Sequence, residues 1–186
     1  MKKLTKFATL AILAALAATW LMRQFIDHGR VAFIAAAIVF ATGFVHPIVE
    51  MARLHPYEYT YYNSFIGGIS GARARFMLDY WGLSFKQAGN ALRDLLEARH
   101  ERPPQGQWTI AVCGPHPPAY VALGPEFHLT WDPKGADFAL MLGEFYCAQF
   151  DAPVLVEITR EGVVYARVYD IRGRSVPGIF TQPPVQ

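Results

Sequence analysis

Three carboxylates, those of Glu50, Glu58 and Asp79, follow closely on the last uninterrupted apolar stretch of the sequence. An acid in that position can take a proton from an acceptor hydroxyl, the task of a general base in glycosyl transfer. The same acids also read as hydrogen-bond partners of neighbouring tyrosines or as wetted charges, and none is assigned as catalytic. Around Glu58 runs HPYEYTYYN, in which His55, Tyr57, Glu58, Tyr59 and Asn63 are candidates for contact with a lipid-linked or glycan ligand. Tyrosine has an apolar body and a polar tip, so such a cluster also suits the boundary between hydrocarbon and water. Interfacial anchoring is the simpler reading.

Arg73 and Arg75 can face lipid phosphates or a pyrophosphate group, although arginines are common at any membrane surface. They follow FIGGISG, Phe65 to Gly71, which has neither a Lys-Ser/Thr pair behind it nor a strand before it. It reads as a tight connection and not as a phosphate-binding loop. Asp79, Tyr80 and Trp81, within Leu78 to Gly82 (LDYWG), complete the candidate list. Cys113 and Cys147 are the two cysteines and allow a single intramolecular bridge in an oxidising compartment; the sequence leaves their pairing open. No Cys-x-x-Cys or His-x-x-x-His accompanies them, and His116 and His128 lack ligand spacing, so neither a metal site nor a cofactor is expected. A Cys113–His116 nucleophile pair is disfavoured, because prolines on both sides of His116 fit a rigid loop without catalysis.

What must position these residues is divided in two by composition. At 53% hydrophobic, 14% aromatic and 17% charged, the chain is too apolar for a soluble domain and too polar to lie wholly in a membrane. The apolar excess lies in the first fifty residues, and the remainder is long enough for one compact domain. A net charge of +2 without a basic stripe excludes nucleic acid as an expected partner. Residues 7–22 and 31–49 carry no charge, with Arg23, Asp27, His28 and Arg30 between them, which predicts a transmembrane helical hairpin. The first arm is short and also resembles a signal peptide in its Lys-rich start and Ala/Leu-rich continuation. Counting Lys2, Lys3, Lys6 and Arg53 against Arg23 and Arg30, the positive-inside rule places both ends of the chain in the cytoplasm.

Residues 51–82 read as an interfacial aromatic and Gly-rich connector, and 83–175 as an extracytoplasmic mixed domain. Ser84 with Gln87 forms a capping-box pattern, and Phe85, Ala88, Leu92, Leu95 and Leu96 recur at helical spacing before Pro103 and Pro104. Strands are expected over 108–113, 127–131, 136–142, 154–160 and 163–171. Gly114 to Pro118 should be irregular, Ala119 to Leu123 one helical turn, and Glu161-Gly162 a two-residue hairpin turn. The fold class is α+β (or α/β), with one main helix packed on a mixed sheet of about five strands and a poorly packed extended tail over 176–186.

Leu54 to Asn63, Gly67-Gly68 and LDYWG resemble the junction between the last membrane helix and the C-terminal domain in bacterial members of glycosyltransferase family 39, the protein mannosyltransferase-like enzymes. Val112 to Pro115, Asp132 to Phe138 and Tyr165 to Arg172 are similar to that terminal domain. The resemblance implies a polyprenyl-phosphate-linked sugar donor, transfer outside the cytoplasm in the bacterial inner membrane, and a periplasmic C-terminal domain, against the charge count above. It implies an acidic residue in a first extracytoplasmic loop, which nothing in this sequence matches. The expectation is therefore a C-terminal segment of such a transferase, inactive alone and partnered by membrane lipid and a larger multi-spanning subunit. The alternative is a non-catalytic membrane-anchored binding or assembly module.

Overall fold

The computed structural model describes residues 12–13, 15–20, 23–24, 29–104 and 106–180. The chain divides into two units, Met1–Glu50 and Met51–Gln186.

The long helix of the first unit is α1, Arg30–Leu54, which continues through Pro47 and runs past Glu50. At a rise of about 1.5 Å its 25 residues outreach a hydrocarbon core of roughly 30 Å. Val31, Val39, Phe40 and Ile48 are all exposed, and a helix that bares apolar side chains all round belongs in lipid or against protein. Among the described residues it is the one helix long and apolar enough to cross a membrane. Of the expected hairpin, the second arm is thus the one that the described residues show. Of the first arm, residues 12–13 and 15–20 are helical and the rest lies outside the described residues.

The second unit is an α+β fold on a five-stranded mixed sheet. Its strands are β1 (Trp108–Cys113), β2 (Phe127–Thr130), β3 (Phe138–Leu142), β4 (Val154–Arg160) and β5 (Val163–Asp170), in the order β2-β1-β3-β5-β4. β1 runs parallel to both β2 and β3, with Ile110 level with Leu129 and Phe138. β5 is antiparallel to β3 and β4, placing Val168 beside Leu140 and Val156. All five residues of β3 are buried, as befits a strand in the middle of a covered sheet. Glu161 and Gly162 join β4 to β5 with φ of 48° and 73°, the positive angles that a type I′ hairpin turn requires.

Ahead of the sheet come the short α2 (Gly68–Ala72) and the main helix α3 (Ser84–Ala98), while α4 (His116–Leu123) crosses from β1 to β2. α3 buries Phe85, Ala88, Leu92 and Leu96, one stripe at helical spacing, against β4, β5 and α4. Each of the large side chains contributes about 1.5–3 kcal/mol by leaving water. The helix ends where His100 turns to φ 56° and Glu101 N–H reaches back to Leu96 C=O at 3.0 Å, a Schellman closure made without glycine.

Three expectations need correction. Ser84 is the first residue of α3 and not its cap; no side chain of the preceding Leu83 caps the helix either. α4 starts at His116, because prolines fit a first turn whose N–H groups have no helical partner anyway. The tail, extended as expected, is packed as far as Phe180: Ile179 is buried, and its C=O accepts the Ala148 N–H at 2.8 Å.

The connector 51–82 is also more than an interface. The chain turns at a cis His55–Pro56 peptide and passes through 3₁₀ turns at Glu58–Thr60 and Ser64–Ile66. Leu54, Tyr57, Ile69, Ala72 and Leu78 then form a second core with Val163 and Tyr165 of β5. Gly71 is required here, since a Cβ would overlap the Ile66 carbonyl oxygen.

Candidate functional site

Asp79 lies at the centre of the predicted residues and is fully buried. Its Oδ1 accepts from Leu83 N–H at 2.9 Å and from the Tyr59 hydroxyl, and its Oδ2 accepts from Ser84 N–H at 2.9 Å and from the Ser84 hydroxyl. Five residues upstream of α3, Asp79 therefore does the capping that the sequence pattern assigns to Ser84. A carboxylate holding four donors fixes a helix start well, and both of its oxygens are already engaged.

A second carboxylate faces the same segment. Glu144, one residue beyond the glycine that follows β3, accepts Leu78 N–H at 2.8 Å and Asp79 N–H at 3.0 Å through Oε1. Burial raises its pKa above the usual carboxylate range, and the neighbouring Asp79 charge adds to that rise while the two N–H groups oppose it. Glu144 is not among the residues that the sequence singles out. The available signal was one acid placed directly after a continuous apolar strand.

The tyrosine run divides by burial. Tyr57 is buried, its ring 5.1 Å from that of Tyr165 and 5.0 Å from the Arg160 guanidinium carbon, with no hydrogen-bond partner for its hydroxyl. Burial pushes its pKa up to about 12. Tyr57 is therefore a core residue and does not present itself to a ligand. Tyr59 is partly exposed, and burial together with its bond to Asp79 raises its pKa. Thr60 and Tyr165, 105 residues apart, place their hydroxyl oxygens 2.7 Å from each other. His55 and Glu58 form an exposed pair, Nδ1 to Oε1 2.5 Å. The exposed Asn63 accepts Ile66 and Gly68 N–H groups through its backbone carbonyl, closing the turn before α2.

Arg73, Arg75, Tyr80 and Trp81 are exposed, the last two in edge contact at 5.0 Å. With the exposed Phe65, Phe76 and Met77 they give residues 65–81 an apolar and cationic surface. Cys113 and Cys147 form a disulfide, with Cα atoms 5.8 Å apart, which leaves no thiol for His116 to activate. His116 instead stacks on Trp131 at 3.5 Å, and burial lowers its pKa. Among the described residues no three His, Cys, Asp or Glu side chains are grouped to hold a metal.

The arrangement brings Tyr59, Asp79, Ser84 and Glu144 together as a structural network and leaves His55, Asn63, Arg73, Arg75, Tyr80 and Trp81 available at the surface. Comparison of the chain with protein-family models, with curated proteins and with solved structures finds no match.

Proposed function

We propose that this chain is the terminal segment of a bacterial inner-membrane glycosyltransferase using a polyprenyl-phosphate-linked sugar, and that it positions partners without supplying the reactive acid. The observation that carries this reading is a convergence. The segments bearing the resemblance are scattered through the sequence, yet Leu54, Tyr57, Leu78, Asp79 and Tyr165 from them are all buried in neighbouring parts of one seam. Gly82 and Gly114 from the same segments both lie against Phe85, where added Cβ atoms would come within 2.9 and 2.7 Å of the ring. The engagement of Asp79 and Glu144 with backbone N–H groups supports a positioning role, with the catalytic acid supplied by a multi-spanning partner.

In this reading the sheet domain stands on the periplasmic side, and the exposed residues 65–81 meet lipid headgroups or the donor. Native purification from membranes tests it: co-isolation of a multi-spanning subunit with an acidic extracytoplasmic loop is expected. Isolation of a solitary anchored protein would favour a binding or assembly module. Sugar transfer from a lipid-phosphate donor by the chain alone would refute the positioning role. A reporter fused after Gln186 that is active only in the cytoplasm would refute the periplasmic placement.

A further inference from the structure

One cavity in the second unit meets the capping network only at Glu144. It measures about 390 Å³, within the range of small-ligand sites, and its polar and aromatic lining comes from Arg73, Glu144, Phe145, Gln149, Arg167 and Tyr169. We propose that this cavity, together with a row of aromatic rings that begins at its wall and exposes Phe145, Phe180 and Trp131 around the half-buried Tyr146, is a saccharide-binding site. The inference goes beyond the transferase reading and does not depend on it.

The lining argues for hydroxyl groups. Guanidinium groups only donate, an ionised carboxylate only accepts, and the Gln149 amide does both. Sugar hydroxyls donate and accept, so each member of this mixed set finds a partner on a polyol. A phosphate offers acceptors alone and would stand against the Glu144 carboxylate. Arg73 is exposed and has no acidic partner among the described residues, while Arg167 is held through Nε by Glu157 at 2.6 Å.

The wall is built before any ligand arrives. Gly143 N–H donates to Tyr165 C=O at 2.8 Å, and a Cβ on Gly143 would overlap the Val164 carbonyl oxygen. Two residues from Phe145, Cys147 is tied to the end of β1 by the disulfide, and Glu144 grips Leu78 and Asp79. Such a site loses little conformational freedom on binding.

The aromatic row extends the site. Phe145 lines the cavity and lies 5.7 Å from Tyr146, which lies 6.4 Å from Phe180, which in turn lies 6.2 Å from Trp131. Phe145, Phe180 and Trp131 are 62%, 49% and 54% exposed, an unusual price for a water-facing surface with no partner. The C–H face of a pyranose ring is electropositive and stacks on the electron-rich face of an aromatic ring while its hydroxyls stay at the rim. A row of several rings leading out of one pocket fits an oligosaccharide better than a single sugar.

The test uses the full chain in phosphatidylcholine nanodiscs, which carry no sugar headgroups, titrated calorimetrically with cellotetraose, chitotetraose and mannotetraose. Binding of at least one tetrasaccharide is expected, with quenching of tryptophan fluorescence. Phe145→Ala and Arg73→Ala remove exposed side chains, so the melting temperature should hold, whereas Trp131→Ala also unstacks His116 and should lower it; each of the three should weaken binding about tenfold, as the loss of one good contact implies. Failure of all three sugars to bind, or binding indifferent to the three substitutions, overturns the proposal. Arg73-dependent binding of inorganic pyrophosphate without any saccharide binding also overturns it and assigns an anion site.

Discussion

The backbone nitrogen of Ser84 lies 2.9 Å from Oδ2 of Asp79, and the Ser84 hydroxyl donates to the same oxygen. This one carboxylate ties the start of α3 to the junction segment, since its Oδ1 holds Tyr59 and Leu83 and its own N–H is held by Glu144.

Asp79→Ala should therefore destabilise the second unit by about 3 kcal/mol, combining a lost helix cap with buried donors left unpaired. Asp79→Asn should lose about half as much and Ser84→Ala about 1 kcal/mol. Urea unfolding of the chain in nanodiscs, followed by tryptophan fluorescence, measures all three. Equal stability of Asp79→Ala and wild type would remove Asp79 from its capping role.

Gly143→Ala and Gly71→Ala each place a methyl group into a backbone carbonyl, at Val164 and Ile66. Each should lower stability by about 3 kcal/mol or more, because backbone has to move to make room. Gly178→Ala enters open space and should be close to neutral. Comparison of melting temperatures for the three variants decides between steric need and a general intolerance of glycine replacement.

The disulfide joins residues 34 apart in sequence, a loop whose closure is worth about 3–4 kcal/mol by chain entropy. Reduction or the Cys113→Ser, Cys147→Ser double variant should lower the unfolding free energy by that amount. Mass spectrometry after thiol alkylation, without prior reduction, should show no label on chain isolated from the membrane. Full labelling of both thiols would show that the bond is not made in the cell.

Stability should depend on pH through two carboxyls of opposite sense. Burial raises Glu144, so its contribution is present below the unfolded value of about 4.3 and is lost as pH rises through the higher folded value. Arg172, with Nη2 2.5 Å from Oδ2, lowers Asp170, so that contribution is present above about 3.9 and is lost as pH falls through the depressed folded value. Glu144→Gln should gain on wild type as pH rises from 4 to 7. Asp170→Asn should be less stable at pH 7 and converge with wild type in acid. Melting curves between pH 2.5 and 7.5 check both signs, and parallel curves for wild type and either variant would contradict the corresponding assignment.

Much of the second unit is legible in the residues themselves. The alternation and punctuation after Gln107 locate all five strands, Glu161-Gly162 marks its hairpin, and the spacing of Phe85, Ala88, Leu92 and Leu96 gives the face of α3. Helix and strand periods are local, so short windows of sequence carry them. The span within α1 is legible for the same reason, since length and apolarity suffice. The tyrosine run was less transparent, because an amphipathic ring suits a membrane boundary and a protein core equally well. Only the approach of β5 decided that Tyr57 turns inward to Tyr165.

The sequence by itself thus determined the elements, the apolar helix and the chemical menu of HPYEYTYYN and LDYWG. The tertiary structure alone decided that Asp79 caps α3, that Glu144 grips its backbone from 65 residues away, and that Cys113 meets Cys147. It alone placed Arg73 on the same cavity as Phe145 and Arg167. The reason is physical: a hydrogen bond or a cavity wall depends on distance in space, and residues far apart in the chain acquire that distance only once the sheet has closed their separation.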